Sequence, residues 1–254
     1  MEITQGNLLD SVIGLFDPSG NLIATDDDGG TGLLSRLVFP ITTSGIYSFA
    51  ISAFADFDFN GDGGSGGRYV MDVSVIDGIP LTLGDDSSVE VNLGFSFPFQ
   101  GDSHSSVFVN ANGSLTFGAG DSEWNESVGG FLAGPPRIAP FWDDLSPNAG
   151  GDVIVDGDSN SFTVSFQDVP EFIATGANSF DVTLHSDGTI VFDYGSLTAV
   201  DALVGLSPGG NLEGDPGATD LSAAGSLSAD GVTYELFTLG GPFDLSGTTI
   251  QFDP

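Results

Sequence analysis

Asn178-Ser179-Phe180-Asp181-Val182-Thr183-Leu184-His185-Ser186-Asp187-Gly188-Thr189-Ile190-Val191-Phe192-Asp193-Tyr194 alternates apolar and polar residues on both sides of a Ser-Asp-Gly-Thr turn. Phe180, Val182 and Leu184 share one face of an incoming strand, and Ile190, Phe192 and Tyr194 share one face of the returning strand. Side chains on an extended chain alternate sides, so this pattern predicts a β-hairpin with one face on a core. The same period recurs outward from it. Phe162, Val164 and Phe166 alternate with Thr163, Ser165 and Gln167. Val89, Val91 and Leu93 lead into an aromatic stripe of Phe95, Phe97 and Phe99. Val107 and Val109 run to a turn at Asn112-Gly113 and return through Leu115 and Phe117. Residues 234–237 and 249–252 add late strands, and the polar stretch from Ser207 to Gly231 reads as loop. No segment carries three turns of amphipathic helix. The chain is therefore all-β, built as antiparallel β-sandwiches.

Between these runs lies Ile138-Ala139-Pro140-Phe141-Trp142-Asp143-Asp144-Leu145-Ser146-Pro147, with one of the two tryptophans set between a proline and two acids. The order suits a strand that leaves a core and turns out to solvent. A buried indole needs a partner for its N–H. Paired aspartates serve neighbouring backbone donors or a cation.

Composition narrows the function classes. The 254 residues hold 36 acids against three arginines (Arg36, Arg68, Arg137) and no lysine, for a net charge of −33. Asp outnumbers Glu by 29 to seven, which favours turns and cation loops over helices. Such a field repels nucleic acid and anionic membrane surfaces and invites divalent cations. There is no cysteine, so disulfides and thiolate metal sites are excluded. Only 15% of residues are charged, below the usual quarter, which fits an extracellular protein of a saline setting better than a salt-adapted cytoplasmic one. No apolar run approaches a membrane span. Met1 to Gly6 has no signal-peptide character, as expected of a cytoplasmic chain or of one that starts inside a longer precursor.

In the first region, Ser11 to Phe16 is a short strand closed by an Asp17-Pro18-Ser19-Gly20-Asn21 turn, and Leu37 and Phe39 alternate before Pro40. Residues 46–54 read as a strand with Tyr47, Phe49, Ile51 and Ala53 on one face. Tyr69, Met71, Val73 and Val75 repeat the pattern, with Asp72 and Ser74 outward. Asp56-Phe57-Asp58-Phe59-Asn60-Gly61-Asp62-Gly63 matches the first half of an EF-hand loop, but Gly67 stands where the bidentate Glu belongs and no helices flank it. The expectation is a non-EF calcium site made by Asp56, Asp58, Asn60 and Asp62, shared with Asp26, Asp27 and Asp28. The alternative is a solvated hairpin loop. Ile79-Pro80-Leu81-Thr82-Leu83-Gly84 breaks the pattern and marks a boundary, giving domains at 1–78 and 79–254.

Residues 10–28, 44–54 and 67–73 together resemble the bacterial pre-peptidase C-terminal domain, over about residues 8 to 76. The resemblance implies a small jelly-roll-like sandwich appended to secreted proteins, with Asp10, Asp17 and Asp26 to Asp28 as loop acids. The family's leading strands are missing here, which implies an incomplete sheet with an exposed edge. Phe95-Ser96-Phe97-Pro98-Phe99-Gln100-Gly101, Val107 to Phe117, Arg137 to Leu145 and Phe180 to Phe192 resemble, in order and spacing, the nidogen-like extracellular domain over about residues 88 to 207. That resemblance implies an all-β, non-catalytic module of matrix and surface proteins.

An enzyme is not expected. The chain shows no G-x-S-x-G elbow leading from a strand into a helix, no H-E-x-x-H and no P-loop. His104, in a Ser-rich segment read as loop, and His185, on the polar face of its strand, are its two histidines. Asp143 and Asp144 are the best paired carboxylates, but neighbours on an extended chain point to opposite faces and do not oppose across a sugar. Trp142 reads as a core aromatic, with a sugar-stacking platform as the alternative for it and for Trp124. The leading reading is an extracellular or cell-surface module with calcium-stabilised loops, adhesive or structural. The others are a carbohydrate- or protein-binding accessory of a secreted hydrolase and a salt-adapted cytoplasmic protein. Its partners would be an extracellular polysaccharide or a surface protein.

Overall fold

The alternating runs become strands in the structure, a computed structural model that describes the chain apart from residues 1, 5–9, 31–32, 42, 62–69, 74–77, 174 and 240–243. Two units separate by their internal contacts, Met1–Asp77 and Gly78–Pro254.

In the first unit β1 (Glu2–Thr4), β2 (Ser11–Phe16), β3 (Leu22–Asp26), β4 (Ser48–Ala53) and β5 (Val70–Asp72) form two small sheets. β1 pairs with β5, and β2 lies between β3 and β4, all antiparallel. Ser11–Phe16 is thus paired on both sides, and β3 and β4 are the edges of its sheet. Val12, Ile13, Leu15 and Ala53 make the buried apolar set among the described residues of this unit, while Ile41, Ile46, Phe54 and Phe57 are exposed. Leu37 and Phe39 form no strand. Tyr69, Ser74 and Val75 lie outside the described residues.

The second unit is a sandwich of two sheets. Its strands are β6 (Ile79–Leu81), β7 (Ser88–Phe99), β8 (Asp102–Asn110), β9 (Ser114–Thr116), β10 (Arg137–Trp142), β11 (Asp152–Gly157), β12 (Ser161–Glu171), β13 (Thr175–His185), β14 (Ile190–Tyr194), β15 (Ala202–Ser207), β16 (Leu227–Ser228), β17 (Thr233–Phe237) and β18 (Thr249–Asp253). Six lie in the order β17-β15-β10-β9-β8-β7, and seven in the order β16-β18-β14-β13-β12-β11-β6. Among the described residues only the short β16–β18 pair is parallel. The hairpin at 178–194 keeps the expected register, with Phe180 opposite Tyr194, Val182 opposite Phe192 and Leu184 opposite Ile190. The apolar faces of both sheets meet in one core that includes Phe97, Phe117, Phe141, Phe166, Phe180 and Phe192.

Two readings change. Ile79–Leu81 is a strand and not a break: it pairs with Val153–Val155 at the sheet edge, where Pro80 lacks an N–H that no neighbour needs. His104 lies within β8, where alternation puts its ring 4.3 Å from that of Phe117.

β10 is buried along its whole length because both its faces are covered. Ile138 and Phe141 enter the main core, while Ala139, Trp142 and Leu203 pack outward under Phe131 of a one-and-a-half-turn helix, α1 (Val128–Ala133). The three-residue spacing of Ile138 and Phe141 on one side follows from a register shift between Ala139 and Trp142. Pro140, which has no N–H for the ladder, sits in that shift. Its carbonyl accepts a 2.6 Å hydrogen bond from Tyr194 Oη of the opposite sheet.

Candidate functional site

The end of β10 is assembled around two buried asparagines. Asn112, in the β8–β9 turn, accepts from Leu145 N at 3.1 Å through Oδ1 and donates through Nδ2 to Asp86 Oδ1 at 2.8 Å. Its carbonyl receives Asp143 N at 3.4 Å. Gly113 beside it has φ +73°, and a Cβ there would sit 1.9 Å from the Phe141 carbonyl oxygen. Asn178, on β13, accepts from Thr198 N and Ala199 N at 2.8 and 3.0 Å and donates to Val169 O at 3.3 Å. It therefore holds the approach to β15 against the end of β12. Phe172 N donates to Asp144 O and Ser146 N to Pro170 O, closing a bridge between Leu145 and Glu171.

These constraints gather six acids into two trios. Asp143, Glu171 and Asp201 bring one carboxylate oxygen each to within 4.8 Å of one another, and Asp85, Asp86 and Asp144 do the same. The neighbours Asp143 and Asp144 thus belong to opposite clusters, as the extended backbone requires, which disposes of a glycosidase pair. The expected turn out to solvent does not occur at Asp143, which is 6% exposed. Its Oδ1 accepts from Asp144 N at 2.8 Å, and its Oδ2 has no hydrogen-bond partner. Burial raises the Asp143 carboxyl to about 7, the Asp144 N–H works against the rise, and Glu126, Glu171 and Asp201 add to it. Burial likewise raises Glu171, helped by Asp201, and Glu126, helped by Asp201 and Asp144. Asp144 is raised by burial and by Asp86 and Asp85.

The same strand carries the opposite charge. Arg137 is 1% exposed, pairs with Asp121, donates to Ser114 Oγ at 3.2 Å, and stacks with its guanidinium 4.0 Å from the Trp142 ring centroid. Trp142 donates its indole N–H to Glu123 O at 3.1 Å, so the partner expected from sequence is a backbone carbonyl. Trp142 is core; Trp124 is 52% exposed.

The loop acids read from sequence lie in the first unit. Asp56, 1% exposed, accepts from Ser52 Oγ at 2.6 Å and from Asn60 N and Gly61 N, both at 3.0 Å. Ser52 first, with the Gly61 and Asn60 N–H groups, holds its carboxyl below the usual range. Asn60 also donates to Asp58 Oδ2 at 3.0 Å. Asp26 Oδ2 accepts from Gly29 N and Arg36 N, and Asp27 Oδ1 from Asp28 N. Desolvation, then Asp27, Asp10 and Asp26, push Asp28 up. Asp62 lies outside the described residues. Among the described residues these loops hold no trio of acids as tight as the two of the second unit. Glu171 and Asp201 escaped the sequence reading, because nothing local sets them apart from the other acids.

Neither imidazole is joined to a serine hydroxyl among the described residues. Burial lowers the His104 pKa, opposed by Asp102 and by a hydrogen bond to the Phe99 backbone. An open cleft of about 510 Å³ has Gln100, Asp102, Ser103, Asp187 and Asp230 in its lining, and its serine hydroxyl is bonded to that of Ser96 and not to an imidazole.

Against known proteins, no curated sequence and no solved structure matches. A protein-family model described as NIDO related matches residues 65–254. That match lends no support to the pre-peptidase C-terminal resemblance of residues 8 to 76. It covers the whole two-sheet sandwich with β10 and its acids, and the chain belongs to this NIDO-related family of non-catalytic, nidogen-like β-domains.

Proposed function

We propose that the chain serves as an extracellular or cell-surface module, structural or adhesive, whose acid-rich loops are stiffened by calcium. In this reading residues 1–78 are a pre-peptidase C-terminal-like, jelly-roll sandwich, and Asp26, Asp27, Asp28, Asp56, Asp58, Asn60 and Asp62 supply calcium ligands. The observation that carries it is the Asp56 loop, where a buried, ionised carboxylate already gathers Ser52, Asn60 and Gly61 around itself beside Asp58. The acids at Asp10 and Asp26 to Asp28 repel one another with no lysine to offset them. A cation of six to eight oxygen ligands tolerates such irregular, glycine-rich geometry. Surface placement is supported by the family and by the low charged fraction beside a large acid excess. No helix among the described residues is long and apolar enough to cross a membrane.

Scanning calorimetry of EDTA-stripped protein in molar NaCl, with and without millimolar calcium, tests the loops. Calcium should raise the melting of the first unit, and Asp56→Asn with Asp58→Asn should remove that rise while the response to NaCl persists. An unchanged first transition on adding calcium refutes the loop sites. Protease treatment of intact source cells tests placement, since a surface protein is cleaved without lysis.

A second reading rests on Trp124, half exposed beside Glu123 and Asn125, as a platform for an extracellular polysaccharide. Retardation in polysaccharide-containing gels that Trp124→Ala abolishes would favour it over a protein partner.

A further inference from the structure

We propose that Asp143, Glu171 and Asp201 form a calcium site that clips the two sheets of the sandwich together at the end of β10. The three acids come from both layers. Asp143 follows β10 and Asp201 precedes β15, neighbours in the six-stranded sheet, while Glu171 ends β12 of the seven-stranded sheet. A carboxylate oxygen from each lies within 4.8 Å of the others. Calcium takes oxygens at roughly 2.3–2.6 Å, so opposite ligands of one ion stand about 5 Å apart, and these three already fit within one coordination sphere.

An acidic cluster alone is common on so acidic a chain. What sets this one apart is Asp143: nine-tenths buried, with Oδ2 lacking any hydrogen-bond donor. A buried carboxylate oxygen without a donor is costly, and the side chains nearest to it in charge are further acids: Glu126, Glu171 and Asp201. Arg137, buried on the same strand, is engaged with Asp121 and with the face of Trp142. The chain thus brings acids from three segments to a carboxylate with an orphaned oxygen, and no cationic side chain among the described residues is paired with it. The trio at Asp85, Asp86 and Asp144 lacks this second feature, since Asp86 is met by Asn112.

The geometry is held without the ion, by Asn178 under the Asp201 approach and by the Leu145–Glu171 bridge. The calcium therefore does not create the fold; it removes a repulsion from a preformed corner. Waters would complete the shell, and calcium tolerates the irregular geometry of six to eight oxygens where smaller magnesium demands a near-ideal octahedron. The site shares no residue with the loops of the first unit, so the two proposals fail separately.

The test uses the full chain stripped with EDTA, carrying Trp124→Phe so that Trp142, next to Asp143, is the remaining indole. Terbium should bind with emission sensitised by that indole and be displaced by calcium well before magnesium. Glu171→Gln and Asp201→Asn, both only partly buried and so tolerant of change, should each weaken terbium and calcium by about tenfold or more. Asp56→Asn with Asp58→Asn should leave the signal intact. Unchanged affinity in both Glu171→Gln and Asp201→Asn, or loss of the signal in the first-unit variant instead, overturns the proposal; equal displacement by magnesium overturns the assignment to calcium.

Discussion

Arg137 and Asp143 sit six residues apart on one buried segment and meet opposite fates. The guanidinium has Asp121 to pair with, Ser114 to donate to and an indole face to lie on. Burial lowers its pKa and Asp121 works against that. Removing one partner of such a pair strands the other, so Asp121→Asn should destabilise the second unit by on the order of 3 kcal/mol in urea unfolding. A loss below about 1 kcal/mol would mean that Ser114 and Trp142 suffice. Asp143 has the reverse problem, and the sign of its pH effect follows. Its folded carboxyl titrates near 7, while in the unfolded chain it titrates near 3.8. Between those values the folded state holds a proton that the unfolded state has lost, so stability falls as pH rises through the window. Without calcium, the wild type should lose up to a few kcal/mol relative to Asp143→Asn between pH 4 and pH 8. Parallel pH profiles for the two proteins would show that Asp143 is not the group responsible.

At the scale of elements, β10 and the turn that faces it decide how the sandwich closes. The β8–β9 hairpin was legible from Val107, Val109, Leu115 and Phe117, and Asn112-Gly113 from its turn chemistry. That Gly113 must also let the Phe141 carbonyl pass was not, because the contact joins residues far apart in the chain. Gly113→Ala should accordingly cost well over the ~1 kcal/mol that a positive φ alone imposes. Gly118→Ala, with a similar φ of +81° and open space around it, should cost about that ~1 kcal/mol and no more. Equal effects in chemical denaturation would remove the steric argument. Period-two reasoning failed in two places for physical reasons. Pro80 looked like a breaker, but an edge position makes no demand on its missing N–H. Pro140 shifts the register within β10, so Phe141 and Trp142 cannot be assigned to faces by counting, and Tyr194 Oη takes up the proline carbonyl across the core. Glu171 and Asp201 were illegible because their meaning depends on Asn178, whose three hydrogen bonds appear only once β12, β13 and β15 are in place.

At the scale of the whole molecule, the two units differ in how much they bury. The second closes a two-sheet core with many fully buried aromatics, whereas the described part of the first buries little more than Val12, Ile13, Leu15 and Ala53. Small domains bury too small a share of their surface to be robust without added support. With no cysteine for disulfides, bound ions and salt are the supports left to the first unit. Screening relieves the repulsion of a −33 chain everywhere, and specific binding adds stability only to the unit that holds the ion. Calorimetry in EDTA and molar NaCl should therefore give two transitions, the lower one from residues 1–77. At a hundredfold excess over the dissociation constant, one calcium contributes about 2.7 kcal/mol to the unit that binds it, on the order of 10 °C for a small domain and less for a larger one. Asp201→Asn should cancel the calcium rise of the upper transition alone, and Asp56→Asn with Asp58→Asn that of the lower alone. A single transition in every condition would mean that the units melt as one cooperative body, and both transitions moving together in either variant would mean that calcium acts by charge screening and not at sites.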